Sequence, residues 1–380
     1  MTDYRKETVM KGQKRLRCGY TTGTCAAAAA KAAAAVLFSG KICREIRLTL
    51  PGGDTVMLEP EVLEMLPETV TCGVIKDAGD DPDITNGMMI CARISKTEGK
   101  GIIIDGGEGV GRVTKAGLDQ PVGAAAINSV PRKMIRSGLE EIMQTWHYEG
   151  GLSVIISIPG GEEKAVKTLN PVLGIEGGLS VLGTTGIVEP MSEQALVDTI
   201  AVDMRMHRAM QEQIFIMTPG NYGLDFLKEH YGILKEQVIK ISNYIGESLD
   251  LAVCTGVSGI LLAGHIGKMI KIAGGIMNTH SRQADARMEI LTAYAAAAGA
   301  ETAVLQRIMQ AATTDAGLDI LRSAGFLEPV MALVTDKIRM HLQRRVGDHI
   351  VVGVIVFSNV YGLLGQTDNV ENLLAKRGHE

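Results

Sequence analysis

Residues 170–192, with the sequence NPVLGIEGGLSVLGTTGIVEPMS, separate two regions of different sequence pattern. Five glycines fall within thirteen residues of this stretch: Gly174, Gly177, Gly178, Gly183 and Gly186. Glycine is unfavourable inside helices and strands, but it suits sharp turns and close approach to a ligand. A flexible linker is the alternative, although linkers are usually more polar than this stretch, which carries Leu, Ile and Val. We therefore interpret it as the crossing between two domains, with a small-molecule site in the cleft between them.

The sequence on either side of this crossing predicts two domains. The 380 residues are enough for two separate cores. Residues 1–192 carry mostly strand patterns and predict an α+β domain. In residues 193–380, which open with a helix predicted over 193–213, apolar strands alternate with helices. That alternation is typical of a doubly wound α/β domain with a parallel sheet.

The composition excludes some classes of partner. The net charge is −5, so no overall basic field attracts nucleic acid. The aromatic content of 4% also argues against stacking platforms for bases. The six cysteines contain no CxxC pair, which favours neither a zinc site nor a disulfide framework. We expect a cytoplasmic protein with reduced thiols, no metal of its own and no nucleic-acid partner.

The N-terminal region mimics a signal peptide, because basic residues precede the alanine-rich run 26–35. Lys31 interrupts that run and alanine is the best helix former, so a helix over residues 25–38 is predicted instead. We expect no apolar run of the roughly 18 residues that cross a bilayer. The sequence GYTTGT precedes the helix, and its Thr21 and Thr22 are predicted to cap the first amide groups and to help bind an anionic ligand.

Strand patterns dominate the rest of the first domain. They cover residues 42–50, 54–58, 69–76, 88–95, 101–105 and 152–158. Between two of them, residues 77–83 hold four carboxylates, whose mutual repulsion is costly unless the loop is solvated or meets a cation or a proton donor. A solvated acidic turn and a functional loop are both compatible with this pattern.

The sequence DGGEGVG, residues 105–111, directly follows an apolar strand. Its spacing is typical of a loop that binds a nucleotide or S-adenosylmethionine, with Asp105, Gly107 and Gly109 as candidate contacts. Such a loop should open a helix, yet residues 113–123 show no helical period. A glycine-rich turn between two strands is an equally weighted alternative.

The loops after the predicted strands of the second domain are expected at one edge of its sheet. They are TPGNYG (218–223), SNYIGE (242–247) and GHIGK (264–268), with FSNVYG (357–362) as a further candidate. Ligands of parallel sheets bind at the carboxyl ends of the strands. The edge has no GxGxxG sequence, so a standard dinucleotide site is disfavoured.

Basic side chains follow the last of these predicted strands. They are His265, Lys268, Lys271, His280, Arg282 and Arg287. A pocket for carboxylates is one interpretation of the cluster, since charge-assisted hydrogen bonds from Arg and Lys are strong. A solvated basic face is the equally weighted alternative.

Six strings taken together resemble one known family. They are LRCGYTTGTCAAAAAKAA (16–33), KDAGDDPDITNG (76–87), DGGEGVGRVTKAGLDQPVGAAAINSVPRKMI (105–135), NPVLGIEGGLSVLGTTGIVEPMSEQA (170–195), ISNYIGESLD (241–250) and GHIGKMIKIAGGIMNTHSRQADARMEIL (264–291). Through them the chain is similar to the S-adenosylmethionine-dependent cobalt-precorrin-5B (C1)-methyltransferases of anaerobic cobalamin biosynthesis. Two departures stand out, since Ala124-Ala125 lies where Glu-Pro is expected and Ala116 where Pro is expected.

The resemblance implies a fold and a reaction. The first domain would be α+β, and the second a Rossmann-like three-layer domain. The reaction would transfer the methyl group of S-adenosylmethionine to ring carbon C1 of a cobalt-containing tetrapyrrole, giving cobalt-precorrin-6A and S-adenosylhomocysteine. Alignment of the reacting atoms alone can lower such a barrier by roughly 7–11 kcal/mol. The cobalt would arrive with the substrate, and a homo-oligomer is one option for the assembly.

Candidate site residues follow from these motifs and from the resemblance. Asp80 and Glu189 are candidates to move a proton or to face the sulfonium charge. The candidate donor-binding residues are Asp105, Gly107, Gly109, Gly183, Thr184, Thr185, Gly186, Thr218, Gly220 and Asn243. The candidate substrate-binding residues are Thr21, Thr22, Arg132, His265, Lys268, Lys271, His280 and Arg282. Three loops compete for the donor, namely DGGEGVG, LGTTGIVEP and TPGNYG.

Two other functions compete with methyl transfer. One is a nucleotide-dependent oxidoreductase that uses DGGEGVG, which protection of that loop by NAD(P) would favour. The other is a non-catalytic tetrapyrrole carrier. A carrier would move no label from S-adenosylmethionine to the corrinoid.

Overall fold

The structure, a computed structural model, describes residues 7–11, 13–171 and 173–377. The chain divides into two compact units, Met1–Glu193 and Gln194–Glu380. Each unit has a mixed five-stranded sheet and a hydrophobic core of its own.

The first unit combines strands with a few helices. Its strands are β1 Thr8–Lys11, β2 Lys14–Arg17, β3 Gly19–Tyr20, β4 Ile46–Thr49, β5 Thr55–Leu58, β6 Glu61–Leu66, β7 Thr69–Ile75, β8 Met89–Thr97, β9 Gly101–Gly106, β10 Arg112–Val113, β11 Gly151–Ser157, β12 Ile175–Glu176 and β13 Ile187–Val188. Its helices are α1 Thr22–Ser39, α2 Ser129–Thr145 and α3 Gly161–Ala165.

The main sheet of the first unit has the strand order β6-β7-β8-β11-β9. Neighbouring strands are antiparallel except β11 and β9, which run parallel. Alternate residues such as Val70, Cys72 and Val74 in β7 are buried in the core that α1 shares with this sheet. Two of the predicted strands, over residues 42–50 and 54–58, form the antiparallel pair β4 and β5.

Helix α1 is the centre of this core. Nine of its residues are alanines, whose small side chains allow close packing against α2 and the sheet. Residues 22–34 are all buried. The charged side chain among them, Lys31, donates to Glu141 (2.6 Å) and to the Arg47 carbonyl (2.8 Å). The predicted helix is confirmed, and it begins three residues earlier than expected, at Thr22.

Helix α1 also corrects an expectation about membrane spans. Among the described residues, Thr22–Ser39 is the one helix long and apolar enough to cross a membrane, so the expectation that no such run exists is wrong. The alanines are the reason, because together with only one lysine they keep the mean hydropathy high. However, 78% of that window is buried inside the protein, and a helix that is apolar on all sides is typical of a core.

The second unit alternates strands with helices. Its strands are β14 Ile214–Thr218, β15 Ile239–Lys240, β16 Gly259–His265, β17 Val351–Ser358 and β18 Gly362–Gln366. Its helices are α4 Glu193–Ala209, α5 Asn221–Tyr231, α6 Ile245–Thr255, α7 Ile266–Ala273, α8 Arg287–Ala297, α9 Thr302–Met309, α10 Thr314–Ser323, α11 Leu327–Val346 and α12 Val370–Arg377, with a short 3-10 helix at Lys235–Gln237. The helix predicted over residues 193–213 therefore ends at Ala209, and α10 and α12 were not predicted.

The sheet of the second unit has the order β15-β14-β16-β17-β18, with β15, β14, β16 and β17 parallel and β18 antiparallel. Both faces are covered. Phe215 and Met217 of β14 pack into a core formed with α6, α7 and α11, while Ile216 between them packs on the opposite side with α5. This alternation gives three layers, with helices on either side of the sheet.

The parallel strands end at one edge of this sheet. Their last residues are Thr218, Lys240, His265 and Ser358. The expectation that TPGNYG, SNYIGE and GHIGK share an edge is confirmed, since each follows one of these strands. The chain order reverses between β14 and β16, because β15 lies on the other side of β14.

Candidate functional site

Three segments that are far apart in the sequence meet in the first unit, and we call them the junction: residues 17–24, 76–85 and 182–191. The Tyr20 N–H donates to the Asp77 carbonyl (2.8 Å), and the Thr21 N–H donates to the Gly186 carbonyl (3.1 Å). Successive N–H groups of an extended chain point to opposite sides. The GYTTGT segment therefore lies between the acidic loop and the crossing stretch.

Threonines and glycines hold the junction together. The Thr21 hydroxyl caps α1 by accepting from the Thr24 N–H (3.2 Å), which confirms the predicted cap. The Thr24 hydroxyl donates to the Gly186 carbonyl (2.7 Å). Gly183 has a φ of 143°, and a Cβ at this position would lie 2.2 Å from Thr21 Oγ1. Close packing against Thr21 is thus a sufficient reason for this glycine.

A buried lysine occupies the middle of the junction. Lys76 is 3% exposed, forms an ion pair with Asp83, and donates to the hydroxyls of Thr85 (2.6 Å) and Thr22 (3.3 Å). Burial alone would raise the pKa of Asp83, but the charge and hydrogen bond of Lys76, together with hydrogen bonds from Thr85, outweigh it, and the pKa lies below its usual value. The sequence motifs predict no role for Lys76. The one sequence feature that could indicate this ion pair is a lysine directly before a loop with four carboxylates.

The two acidic candidates both lie in the junction. Asp80 is exposed, and its carboxylate accepts from the Arg17 N–H (2.6 Å). Glu189 is also exposed and follows β13. It lies beside Cys18, which directly precedes β3, the strand that pairs with β13. Burial raises the pKa of the Cys18 thiol, and the charge of Glu189 raises it further. The structure thus brings Asp80 and Glu189 to the same short segment from its two sides.

Thr184 and Thr185 are exposed in the glycine-rich stretch of the junction, as are Leu182 and Met191. The Thr185 hydroxyl accepts from the Ile187 N–H (3.2 Å), which shapes the turn into β13. With Asp80 and Glu189, these two hydroxyls face solvent.

The loop DGGEGVG, residues 105–111, leads from β9 to β10 and opens no helix. The Gly107 N–H donates to the Ile156 carbonyl (2.8 Å). Gly109 has a φ of 70°, and a Cβ there would lie 1.9 Å from the Ile158 carbonyl oxygen. Gly109 is therefore required by the protein's own backbone, which favours the turn between strands over the cofactor loop.

Asp105 and Arg132 have partners within the first unit. The Asp105 carboxylate pairs with the Arg112 guanidinium (2.6 Å), whose hydrogen bond lowers the pKa of Asp105. Arg132 donates to the carbonyls of Ile104 (2.9 Å) and Ile127 (2.8 Å), and burial lowers its pKa. The predicted donor and substrate contacts of these residues would compete with these bonds.

At the carboxyl edge of the second unit, Lys268 meets the loop after β14. Its Nζ donates to the Pro219 carbonyl (2.8 Å). Thr218 is buried and its hydroxyl donates to the Gly220 carbonyl (3.3 Å). Next to Gly220 the space is open, because a Cβ there would have only Lys268 Nζ, at 3.9 Å, within 4 Å.

His265 ends β16 at the same edge. Its Nδ1 accepts from the Gly267 N–H (3.1 Å), which leaves the ring proton on Nε2. The ring lies 5.8 Å from the rings of both Tyr222 and Phe357, measured between centroids. Burial lowers the pKa of His265 although the charge of Asp315 acts in the opposite direction, so the neutral ring is favoured.

Two further predicted residues are used inside the second unit. Lys271 is buried and donates to the carbonyls of Thr279 (3.1 Å) and Ala284 (2.8 Å), and burial lowers its pKa. The Asn243 carbonyl accepts from the Thr279 N–H (3.0 Å), and its side-chain oxygen accepts from the Thr279 hydroxyl (3.2 Å). These bonds fix the loop after β15 against the segment after α7.

His280 and Arg282 lie on the surface beyond this loop. Both are exposed, and His280 Nδ1 accepts from the Arg282 N–H (3.0 Å). Arg287, in contrast, pairs with Asp285 (2.6 Å). In the described part of the chain, no group of three or more His, Cys, Asp or Glu side chains is placed to hold a metal ion. The cleft between the two domains stays a prediction.

The chain matches two protein-family models. The model described as CbiD covers residues 9–190, and the model of the CbiD C-terminal domain covers residues 278–368. A cobalt-precorrin-5B C(1)-methyltransferase of Ruminiclostridium cellulolyticum is 48% identical over 355 residues, which are 93% of this chain and 92% of that protein. The chain belongs to the CbiD family. The resemblance drawn from the six strings is confirmed.

Two further relatives match nearly the whole length of the chain. Cobalt-precorrin-5B C(1)-methyltransferases of Alkaliphilus metalliredigens and Moorella thermoacetica are each 42% identical, over 96% and 97% of this chain and 96% and 99% of their own. A crystal structure of the cobalamin biosynthesis protein cbiD from Archaeoglobus fulgidus is 28% identical and covers 75% of this chain and 89% of that one, with a TM-score of 0.40.

Proposed function

We propose that this member of the CbiD family transfers a methyl group to C1 of cobalt-precorrin-5B in cobalamin biosynthesis. The observation that carries the proposal is 48% identity, over 93% of the chain, to a relative with that activity in its name. S-Adenosylmethionine is the proposed donor, and cobalt-precorrin-6A and S-adenosylhomocysteine are the proposed products. We also propose a cytoplasmic enzyme, in keeping with its six free cysteines.

The three candidate donor loops differ in how well they fit a ligand. A Cβ added at Gly109 or at Gly183 would lie within 2.2 Å of another protein atom, so neither position has space for a ligand. Gly220, in TPGNYG, faces open space beside Lys268. We therefore propose that the donor binds beside Gly220 at the carboxyl edge of the second unit, where Thr218 and Asn243 shape the adjoining loops through their own hydrogen bonds.

The strand order of the second unit supports this placement. Counted along the chain, its strands lie in the order 2-1-3-4-5 with the last one antiparallel. Doubly wound sheets of this order bind ligands where the order reverses, which here is between β14 and β16. We propose that the unit is a Rossmann-like domain in this sense.

The chemistry sets two tasks for the chain's own residues. S-Adenosylmethionine, when bound, supplies an electrophilic methyl group on a sulfonium. The protein must hold C1 in line with that group, since alignment is the main contribution available to it. Transfer to a neutral ring also leaves one positive charge on the ring, which is discharged by loss of a proton. A carboxylate near the ring is suited to accept it.

The proposed residue roles follow from which groups face solvent. Asp80 and Glu189 are the proposed proton acceptors, and the nearby hydroxyls of Thr184 and Thr185 are proposed ligand contacts. His265, Lys268, His280 and Arg282 are the proposed contacts to the carboxylates of the macrocycle or of the donor. Thr21, Thr22, Arg132 and Lys271 are better explained by the protein contacts described above.

Label transfer tests the proposed function. The purified chain is incubated without oxygen with cobalt-precorrin-5B and S-adenosylmethionine labelled in its methyl group. We expect the label in a corrinoid that has gained one methyl group, together with stoichiometric S-adenosylhomocysteine. Tight binding of the corrinoid without any transfer of label would instead establish a carrier.

Substitution of the two acidic residues tests their role in this reaction. We expect Glu189→Gln or Asp80→Asn to lower kcat by at least about 100-fold, because a positioned proton acceptor contributes roughly 10²–10⁴-fold. Single-turnover measurements with saturating donor give the rate. Glu193→Gln, a change at an exposed acid near Glu189, is the matched control and should leave the rate unchanged. Near-normal turnover in both test variants would remove these residues from the mechanism.

A further inference from the structure

The carboxyl edge of the second unit concentrates positive charge. Lys268, in α7 directly after β16, is half-buried, and the exposed Lys240 is the last residue of β15, the strand next to β14. The Nζ of Lys240 donates to the Asn221 side-chain oxygen (2.7 Å), and the Nζ of Lys268 donates to the Pro219 carbonyl (2.8 Å). Each ammonium therefore donates to one uncharged oxygen and keeps further N–H groups that can donate to a ligand.

Neither of these lysines has an acidic partner among the residues that the structure describes. Within the described residues, neither ammonium has a carboxylate oxygen within 4.0 Å, whereas the buried Lys31 and Lys76 each have one. Burial lowers the pKa of Lys268, and the charges of Lys240 and Lys271 lower it further. A half-buried, like-charged group without a counter-charge is costly, and an anionic ligand would relieve that cost.

The space in front of Lys268 is shaped for a small group. Gly220 is extended, with φ −177° and ψ 179°, so glycine is not required there by the backbone. A Cβ at this position would have only Lys268 Nζ, at 3.9 Å, within 4 Å. The glycine therefore keeps open the approach to Lys268 at the point where the strand order reverses.

We infer that Lys240 and Lys268 together bind a carboxylate group of a ligand at this edge. The inference rests on the proposed function for the identity of the ligand. The carboxylate comes either from the amino-acid part of the methyl donor or from a side chain of the corrinoid. Lys271 is not part of this site, because its ammonium is buried and bound to two carbonyls. The sequence motifs predict no role for Lys240.

Equilibrium binding to the full chain separates the two sources. The probes are S-adenosylhomocysteine and 5′-methylthioadenosine, which lacks the amino-acid part. If the donor supplies the carboxylate, Lys268→Gln and Lys240→Gln should each weaken binding of S-adenosylhomocysteine by roughly 10- to 100-fold, since a hydrogen bond to a charged group contributes on that order. Binding of 5′-methylthioadenosine should not change. If the corrinoid supplies it, KM for cobalt-precorrin-5B should rise by a similar factor instead.

The control is Lys235→Gln, an exposed lysine of the same unit, which should leave every constant unchanged. Glutamine keeps a donor for the Pro219 carbonyl, and thermal unfolding of each variant checks that the fold is intact. Unchanged binding of both ligands in folded Lys240→Gln and Lys268→Gln would overturn the inference.

Chemical labelling of amines gives a readout that needs no turnover. Lys240 and Lys268 of the unmodified chain should react with an acylating reagent at least about tenfold more slowly when S-adenosylhomocysteine or cobalt-precorrin-5B is present, while Lys235 should not. Protection without methyl transfer would uphold the site and refute the proposed reaction. Methyl transfer by the wild-type chain without protection at either lysine would refute the site alone.

Discussion

Lys76 in the first unit and Lys268 in the second have similar side chains but opposite surroundings. Lys76 is buried and its charge is met by Asp83, whereas Lys268 is half-buried beside Lys240 and meets only a carbonyl. Removing a charge from water is costly unless an opposite charge is supplied. The first unit supplies that charge from its own sequence, which indicates a structural role. The second unit leaves it to a ligand, which indicates a binding role.

The glycines of the two regions differ in the same way. A Cβ at Gly109 would lie 1.9 Å from a backbone oxygen, and the φ there is 70°. A Cβ at Gly220 would meet only the end of a lysine side chain at 3.9 Å. Glycine therefore occurs in this chain for two reasons: it allows close packing at Gly109, and it leaves open space for a ligand at Gly220. Only the atoms around each glycine distinguish the two cases.

Substitution of each of the two lysines by methionine should give the largest difference in stability between the two regions. Lys76→Met leaves the Asp83 carboxylate without its partner, so we expect the free energy of unfolding to fall by about 3–5 kcal/mol. Lys268→Met removes an unpaired charge and should change it by less than about 1 kcal/mol. Urea unfolding followed by circular dichroism gives both values.

The double variant Lys76→Met with Asp83→Asn is the control for this pair. It removes both charges and should recover a large part of the lost stability, because no uncompensated charge stays buried. Equal destabilisation by Lys76→Met and Lys268→Met would show that the ion pair does not distinguish the two regions.

Alanine at the two glycines should give a smaller but similar contrast. Gly109→Ala forces a left-handed φ on alanine and a clash with the Ile158 carbonyl, so we expect about 2–3 kcal/mol of destabilisation. Gly220→Ala should change stability by less than about 0.5 kcal/mol, because its backbone is extended and the space is open. Thermal and urea unfolding measure both. A destabilisation by Gly220→Ala as large as that by Gly109→Ala would contradict the assignment of open space to that position.

Local pattern was enough to predict much of the fold. The alanine run predicts α1, because alanine favours helix whatever surrounds it. The alternation of apolar strands with helices predicts the parallel strands β14, β15, β16 and β17, since such strands need a crossover between them. The common edge of their loops then follows from their parallel direction.

The functions of single residues were harder to predict, because they depend on partners far away in the sequence. DGGEGVG has the spacing of a ligand loop, and its packing partners Ile156 and Ile158 lie some fifty residues later. Lys240 gives no local signal, and its place beside Lys268 depends on β15 pairing with β14. The pairing of Lys76 with Asp83, by contrast, joins residues that are close in the sequence. Only the burial of Lys76 against Thr22 could not be predicted without the fold.

The pH dependence of stability offers the finest test of the comparison. Folding lowers the pKa of Asp83, because the charge and hydrogen bond of Lys76 and the hydrogen bonds from Thr85 together outweigh the effect of burial. The contribution of the pair is therefore fully present above the ordinary Asp pKa of about 3.9 and is lost as pH falls through the lower, folded value. In Lys76→Met the hydrogen bonds from the Thr85 N–H and hydroxyl remain while those of Lys76 and its charge are lost, so the folded pKa of Asp83 should lie higher than in the wild type. The difference in unfolding free energy between wild type and variant should thus shrink towards acid by about 1.4 kcal/mol for each pKa unit between the two folded states.

Urea unfolding between about pH 3 and pH 7 measures this difference, and the effects of the other carboxylates cancel in it. Parallel stability curves for the two proteins would mean that Lys76 does not set the charge of Asp83.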